Sequence, residues 1–370
     1  VDGVPRSMSD IDVDEIESFT VLKDAAATAV YGSEGANGVV LITSKRGQVQ
    51  KTQVNFNAQF SIASPTRMID LMPSYDYLDM YNEAAWNDAG NPGNFTAPYS
   101  AEELAKYRSG EDPDLYPNSI WTDLLSKNTY NQRYTINIRG GSDKVRYFAS
   151  GAYYSEEGIF KSNPIEDYDA NIGLKRYNIR SNVDVDLTST TKMSLDLSGQ
   201  YRTKNSPGYS TDNIFNHIVS VPTHRIPFQW SDGTAAIMQK NGWGTYNPYN
   251  MLNHSGYSKE WYAFLQTKLM LEQKLDFITK GLSIKGMLSF DADFSSSMSR
   301  SKNVDSYYVT GRDENGELIK TRLVEGSALS DPALSSTGGT KKIYIEASLN
   351  YKRTSVSYTH LRAHETDSYL

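Results

Sequence analysis

Period-two alternation of apolar and polar residues, held over unusually long runs, is the feature that most limits how this chain can fold. Residues 177–187 set Tyr177, Ile179, Val183, Val185 and Leu187 against Asn178, Arg180, Asn182, Asp184 and Asp186. Residues 193–202 set Met193, Leu195, Leu197, Gly199 and Tyr201 against Ser194, Asp196, Ser198, Gln200 and Arg202. Residues 282–294 repeat the scheme with Leu282, Ile284, Leu288, Phe290 and Phe294 on one side. Successive side chains of a strand point to opposite faces, so each run has an apolar and a polar face. Similar runs at 53–62, 133–140, 144–154, 262–276 and 342–351 bring the expected strands to eight. Several exceed the common globular length of about 5–6 residues and suit the roughly 9–11 of a tilted strand crossing a bilayer.

The connections sharpen the reading. Gly141-Ser142-Asp143, Thr188-Ser189-Thr190 and Lys280-Gly281 make three tight turns. Between them lie long connections at 63–130, 157–172, 205–260 and 299–340. Outer-membrane barrels alternate in this way, with short periplasmic turns and long external loops. A secreted β-sandwich binding or adhesion protein is the alternative, because its strands also alternate. It rarely keeps every second connection tight. Inside the first long connection, Ser74 is placed to cap a helix over 75–87, and Ser100 with Glu103 forms a capping box ahead of 101–108. Asn315-Gly316, between 304–312 and 317–324, reads as a hairpin within an external loop.

Composition excludes several classes. No stretch approaches the run of about 18 apolar residues that a membrane helix needs. A spanning strand escapes that test, since only every second residue meets lipid. The net charge is −7 and no Lys/Arg stripe forms, so nucleic acid is not an expected partner. With no Cys, a disulfide framework and thiolate metal sites are out. No Gly-x-Ser-x-Gly elbow or other catalytic constellation occurs, so neither enzymatic activity nor a cofactor is expected. The acidic residues of the strands are expected to line a solvated lumen wall. No signal peptide precedes the first domain-like pattern, and residues 1–5 (VDGVP) read as the middle of a domain, which points to truncation.

The front of the chain reads as a compact α/β piece. Residues 12–22 are expected to form a strand, with Ile16, Phe19, Val21 and Leu22 available for burial. Asp24 caps an Ala-rich helix from Ala25 to Tyr31, Gly32 ends it, and residues 39–45 form a buried strand. Gly32, Gly35 and Gly38 do not make a phosphate cradle, which needs glycines leading into a helix. Here they follow the helix and enter a strand, as tight turns would. Asp10, Asp12 and Asp14 do not make a calcium loop either, because Glu15 and Val21 stand where an EF-hand needs Gly and Glu.

Residues 16–47 (IESFTVLKDAAATAVYGSEGANGVVLITSKRG) resemble the end of the plug of TonB-dependent receptors. Leu22-Lys23-Asp24-Ala25, Tyr31-Gly32-Ser33 and Gly35-Ala36-Asn37-Gly38-Val39 resemble the SusC/RagA branch, as do residues 1–5 and Asp143 to Phe148. The resemblance reaches about residue 352. It implies a mostly β chain, with the C-terminal part of an α/β plug at 1–47. A partial transmembrane antiparallel β-barrel follows at 48–352, about eight of roughly 22 strands. Residues 353–370 are expected to be a non-native tail, so His360 and His364 are not read as a zinc pair.

In function, the resemblance implies an importer of glycans, oligosaccharides or peptides in the cell outer membrane. TonB would energise it by pulling on a segment upstream of this sequence. A SusD-like surface lipoprotein would act as lid, and outer-membrane lipid would surround the wall. A siderophore or vitamin receptor is the runner-up. Ligand-binding candidates lie in the 205–260 loop: Trp230, Trp243, Tyr246 and Tyr249, near Asn247-Pro248, Tyr257 and Trp261. Aromatic faces beside amides suit sugar rings. Packing of the loop on itself, or an interfacial place for Trp261, is the other account of these rings.

Overall fold

The computed structural model describes residues 1–23, 35, 37–161, 166–238 and 246–353. The architecture is mostly β and antiparallel. β1 (Ile16–Leu22) and β2 (Val39–Ser44) pair as a small two-stranded sheet, with Leu22 opposite Val39. β3 (Gln50–Ala63), β4 (Thr129–Gly141), β5 (Val145–Glu157), β6 (Gly173–Asp186) and β7 (Thr191–Pro207) follow in the chain. Three short loop strands intervene later: β8 (Ala235–Ala236), and the hairpin of β11 (Ser306–Arg312) with β12 (Leu318–Val324). β9 (Gly256–Lys274), β10 (Leu282–Ser301) and β13 (Ala333–Tyr351) complete one eight-stranded sheet, in the order β13-β10-β9-β7-β6-β5-β4-β3.

All eight expected wall strands are present, and short and long connections alternate throughout. Several strands run further toward the long loops than the alternation indicated. β10 continues from Phe294 to Ser301 and β13 starts at Ala333 rather than 342. Alternation marks where the two faces of a strand meet different media. Past that zone both faces are wet, so the pattern stops while the backbone ladder continues.

The sheet is inverted relative to a soluble protein. Ile179, Leu195, Leu197, Leu265, Leu271, Leu288, Ile345 and Leu349 lie on its exposed face. Arg180, Asn182, Asp196, Ser198, Gln266, Lys268 and Ser289 are buried on the other. A continuous exposed apolar face of this size implies a nonaqueous neighbour. Met193 to Tyr201 spans eight rises, about 26 Å along the strand before tilt, the scale of the roughly 25 Å apolar band of such barrels. Toward the long-loop end, Tyr134, Tyr153, Tyr177 and Tyr201 stand opposite one another on adjacent strands. Their ring centroids are 6.2, 5.0 and 6.4 Å apart, and Phe60 meets Tyr134 edge-on at 5.7 Å. An aromatic row at the margin of an apolar band is the arrangement of an interfacial girdle.

Three local expectations need correction. Residues 12–15 are not strand: Val13–Glu15 form a 3-10 turn, with the Asp12 side chain accepting from the Asp14 N–H. Phe19 and Val21 are exposed rather than buried, because among the described residues nothing packs on that face of the two-stranded sheet. Ser74 does not cap α1 (Ser74–Asp88) but is its first residue. Its N–H is satisfied from a distance by Asn118 Oδ1 at 2.9 Å, and its Oγ donates to the Pro117 carbonyl at 2.7 Å. Ser100 does cap α2 (Ala101–Ser109), accepting from the Glu103 N–H. Gly110 closes that helix at φ 64°, a left-handed conformation in which glycine is unstrained.

The long loops fold together. α3 (Thr211–Ser220) buries Ile214 and Ile218, one turn apart, and α4 (Pro248–Asn253) buries Leu252. They share a core with Trp121, Ile226 and Val309. The hairpin found where Asn315-Gly316 indicated is not free-standing: β8 joins it in parallel through Ala235 and Ala236.

Candidate functional site

The buried polar face of the wall receives side chains from residues 2–17 and 44–46. Arg180 Nε donates to Glu15 Oε2 at 2.8 Å, and Ser150 Oγ donates to Glu15 Oε1 at 2.7 Å. Arg46 forks onto two wall carboxylates, reaching Asp184 at 2.7 Å and Asp196 at 2.8 Å. Lys268 Nζ pairs with Asp196 at 2.6 Å and donates to the Asp2 carbonyl at 3.0 Å. Asn182 Nδ2 donates to Ser44 Oγ and to the Lys45 carbonyl. Arg6 meets Asp291 at 2.7 Å. Arg133 pairs with Asp12 and Asp14, and Thr135 Oγ1 donates to Asp14.

This corrects the picture of a solvated lumen wall. Along this stretch the wall carboxylates and guanidiniums are desolvated and paired. Burial works against the Arg46 charge, but the bonds to Asp184 and Asp196 outweigh it and raise the guanidinium pKa. Burial likewise opposes the Asp2 carboxylate, yet the Ser44 N–H and hydroxyl, at 2.8 and 2.7 Å, hold it below the usual carboxylate range. Sequence reading missed the individual partners. The available signal was charge at regular inward positions, such as Arg180, Asp184 and Asp196, which a purely wet wall would not require.

The expected plug-motif residues are partly visible. Gly38 has φ 94°, and a Cβ there would meet the Leu22 carbonyl at 3.1 Å. Its N–H donates to the Gly35 carbonyl at 3.0 Å, closing the turn into β2. Gly35 is buried and Asn37 exposed, whereas Asp24 and Gly32 lie outside the described residues.

The loop aromatics are distributed, not gathered. Trp230 is buried and its Nε1 donates to the Tyr307 carbonyl at 2.8 Å. Tyr249 is buried with its ring parallel to Phe228 at 6.2 Å. Tyr246 is 40% exposed and meets His217 edge-on at 4.5 Å. Trp243 lies outside the described residues. Tyr246 lines a cavity of about 290 Å³ together with Tyr209, Asn247, Asn250, His254 and Lys302. Asn250 Oδ1 is buried there without a hydrogen-bond donor. Beside it, Glu166 accepts from His254 Nδ1 at 2.9 Å and pairs with Lys302. Those two partners outweigh burial and lower the Glu166 pKa.

His224 locks the helical connection to the other loop. Its ring stacks on Tyr77 at 5.0 Å and meets the edges of Tyr99 and Tyr107 at 6.2 and 6.5 Å. Both ring nitrogens are buried without partners. Burial, then the Arg225 charge, pushes its pKa down to about 4 from the usual 6.5. The undocked ring therefore takes a proton at higher pH than the docked one. Docking is at full strength above pH 6.5 and weakens as pH falls toward 4, by about 3 kcal/mol in all. In the full-length protein, protease cleavage within 208–255 is expected to accelerate over that window. His224→Phe should flatten the profile, and an unchanged profile in that variant would exclude His224 as the cause.

A sheet apolar outside and polar inside, with residues from the front of the chain paired onto its inner face, defines a class: the plugged outer-membrane barrels. Comparison with known proteins agrees. No protein-family model matches. The chain is 32% identical over 200 residues to TonB-dependent receptor P3 of Formosa agariphila, covering 53% of this chain and 16% of that protein. It is 27% identical over 175 residues to TonB-dependent receptor SusC of Bacteroides thetaiotaomicron, covering 47% and 15%. Among solved structures, the RagAB peptide importer in its open-open state aligns with a TM-score of 0.61 at 19% identity, over 95% of this chain and 46% of that one. A structure of the RagAB peptide transporter aligns with a TM-score of 0.57 at 22% identity, over 79% and 34%. The chain is thus similar to TonB-dependent receptors, SusC among them, and shares the fold of the RagAB structures. It spans about a sixth of the length of these curated relatives.

Proposed function

We propose that this chain supplies plug and wall to an energised importer of oligomeric nutrients, glycan or peptide, in the outer membrane. One observation carries this reading: residues 2–17 and Arg46 are ion-paired onto the inner face of a sheet whose outer face is exposed, apolar and edged by a tyrosine row. A plug held by charge rather than by an apolar core is suited to being moved, because water can take over each ion pair as it opens. In this reading residues 1–47 belong to the plug, 48–352 to the barrel, and 353–370 to no native element. TonB supplies the work through a segment upstream of residue 1, and a SusD-like surface lipoprotein covers the external mouth. In the loops, Tyr246 at the cavity wall is the aromatic side chain offered to a ligand, whereas Trp230 and Tyr249 serve the loop core. The plug-motif residues Asp24, Gly32, Gly35, Asn37 and Gly38 are structural.

The full-length protein is expected in the outer-membrane fraction, with migration that changes on heating in detergent. Its nutrient uptake should stop when an uncoupler collapses the proton gradient. Recovery in the soluble or secreted fraction would favour a β-sandwich binding protein instead, and uptake indifferent to the uncoupler would remove the TonB step.

A further inference from the structure

One row of the inner wall concentrates three arginines, and the front segment's carboxylates pair with two of them. Arg133, Tyr154, Arg176, Arg202, Tyr262 and Ser295 stand opposite one another on six adjacent strands, β4 to β7, β9 and β10. The row lies on the polar face at the level of the tyrosine girdle, on the long-loop side of the plug contacts. Arg176 and Arg202 are direct cross-strand partners, and like charges in that position repel. Asp12 and Asp14 answer part of this charge, both pairing with Arg133, and Asp12 also lies 3.7 Å from Arg176. Arg176 Nε remains buried without a partner. Arg202 has no carboxylate within ion-pair distance among the described residues. Its guanidinium lies over the Tyr262 ring at 5.1 Å, while that of Arg176 lies over Tyr154 at 5.3 Å. A cavity of about 570 Å³ opens onto Arg202, Tyr262, Ser295 to Ser297 and Lys204, whose charge Glu260 answers at 3.7 Å.

We propose that this row is a recognition strip for a carboxylate-bearing oligomer passing toward the plug. The proposal rests on the importer reading above. Guanidinium forks bind carboxylates bidentately, and stacking on a flat ring keeps the fork oriented while it is empty. Arg202 provides the free fork. A carboxylate there also screens Arg202 from Arg176, which removes the cross-strand repulsion. The tyrosine faces and serine hydroxyls then contact the rest of the oligomer.

The test uses the full-length receptor purified from outer membranes, titrated at low salt with tetragalacturonate, tetraglutamate and maltotetraose. At least one acidic probe should bind about tenfold or more tightly than the neutral one. Arg202→Gln should remove about tenfold of that acidic affinity and leave maltotetraose unchanged. Arg202→Lys should retain part of it, because charge survives without the fork. Whichever acidic probe binds more tightly tells whether the oligomer is a glycan or a peptide. Failure of both acidic probes to exceed maltotetraose, or unaltered acidic binding in Arg202→Gln, overturns the proposal. Outer-membrane location and heat-dependent migration are read on the same preparation. A protein that keeps both and lacks acid preference removes the strip alone, whereas one that lacks both removes the importer reading.

Discussion

Replacing Arg180 by alanine is expected to loosen the plug from the wall by about 3–5 kcal/mol, the range for removing one member of a buried ion pair. The side chains of Arg180 and Glu15 are 1% and 2% exposed. Removing the guanidinium leaves the Glu15 carboxylate in a dry site with one remaining donor, Ser150 Oγ. The Asp2 carboxylate, 3.8 Å from Arg180, loses a favourable charge at the same time. The loss is mainly the cost of a stranded carboxylate, so it should shrink when that charge is also removed. The double variant Arg180→Met with Glu15→Gln should recover much of the stability. The measurement is the urea concentration at which residues 1–46 of the full-length receptor become cleavable by protease. Arg180→Ala should lower that midpoint strongly and the double variant less. Equal midpoints in Arg180→Ala and the parent would mean that this pair does not hold the plug.

The same pair shows what could be read from sequence and what could not. Ile179, Arg180, Asn182 and Val183 already assigned sides to β6, because strand geometry fixes side-chain direction within the strand itself. The wall was legible for that reason. Three of the strand pairings were also legible, since tight turns force neighbours to pair. The identity of what fills the inner face was not. Arg180 meets Glu15 across 165 positions of sequence, and no local pattern distinguishes a carboxylate facing water from one facing a guanidinium. The loops failed for a related reason. Trp230 and Tyr249 are as aromatic as a ligand platform needs to be, yet they are buried against Tyr307 and Phe228. Loop composition does not tell a core ring from a binding ring. α3 was missed because its buried pair, Ile214 and Ile218, is too short a period to stand out within a long connection. The resemblance at residues 16–47 carries long-range information that a single strand pattern lacks.

Leu197→Arg separates a lipid-facing wall from a water-facing one. Leu197 points outward near the middle of β7 and is 39% exposed. In a water-facing sheet an arginine at so open a position should change stability by no more than about 0.5 kcal/mol. In a bilayer the guanidinium must be dragged into hydrocarbon or bend toward the headgroups, costing about 2–4 kcal/mol at midplane. The cost should fall with distance from the middle. Tyr201→Arg, in the aromatic row four residues along the strand, should therefore cost about 1 kcal/mol or less as charge. Leu197→Ala supplies the control for lost packing without charge. Reversible unfolding of the full-length receptor in phospholipid vesicles is the appropriate measurement, because detergent lets the headgroup region reach any depth. A Leu197→Arg penalty no larger than that of Leu197→Ala would place this face in water. The tyrosine row would then be an ordinary cross-strand ladder rather than a membrane boundary. A penalty that declines from residue 197 to residue 201 would instead map the bilayer directly onto β7, and with it the height of the arginine row behind the girdle.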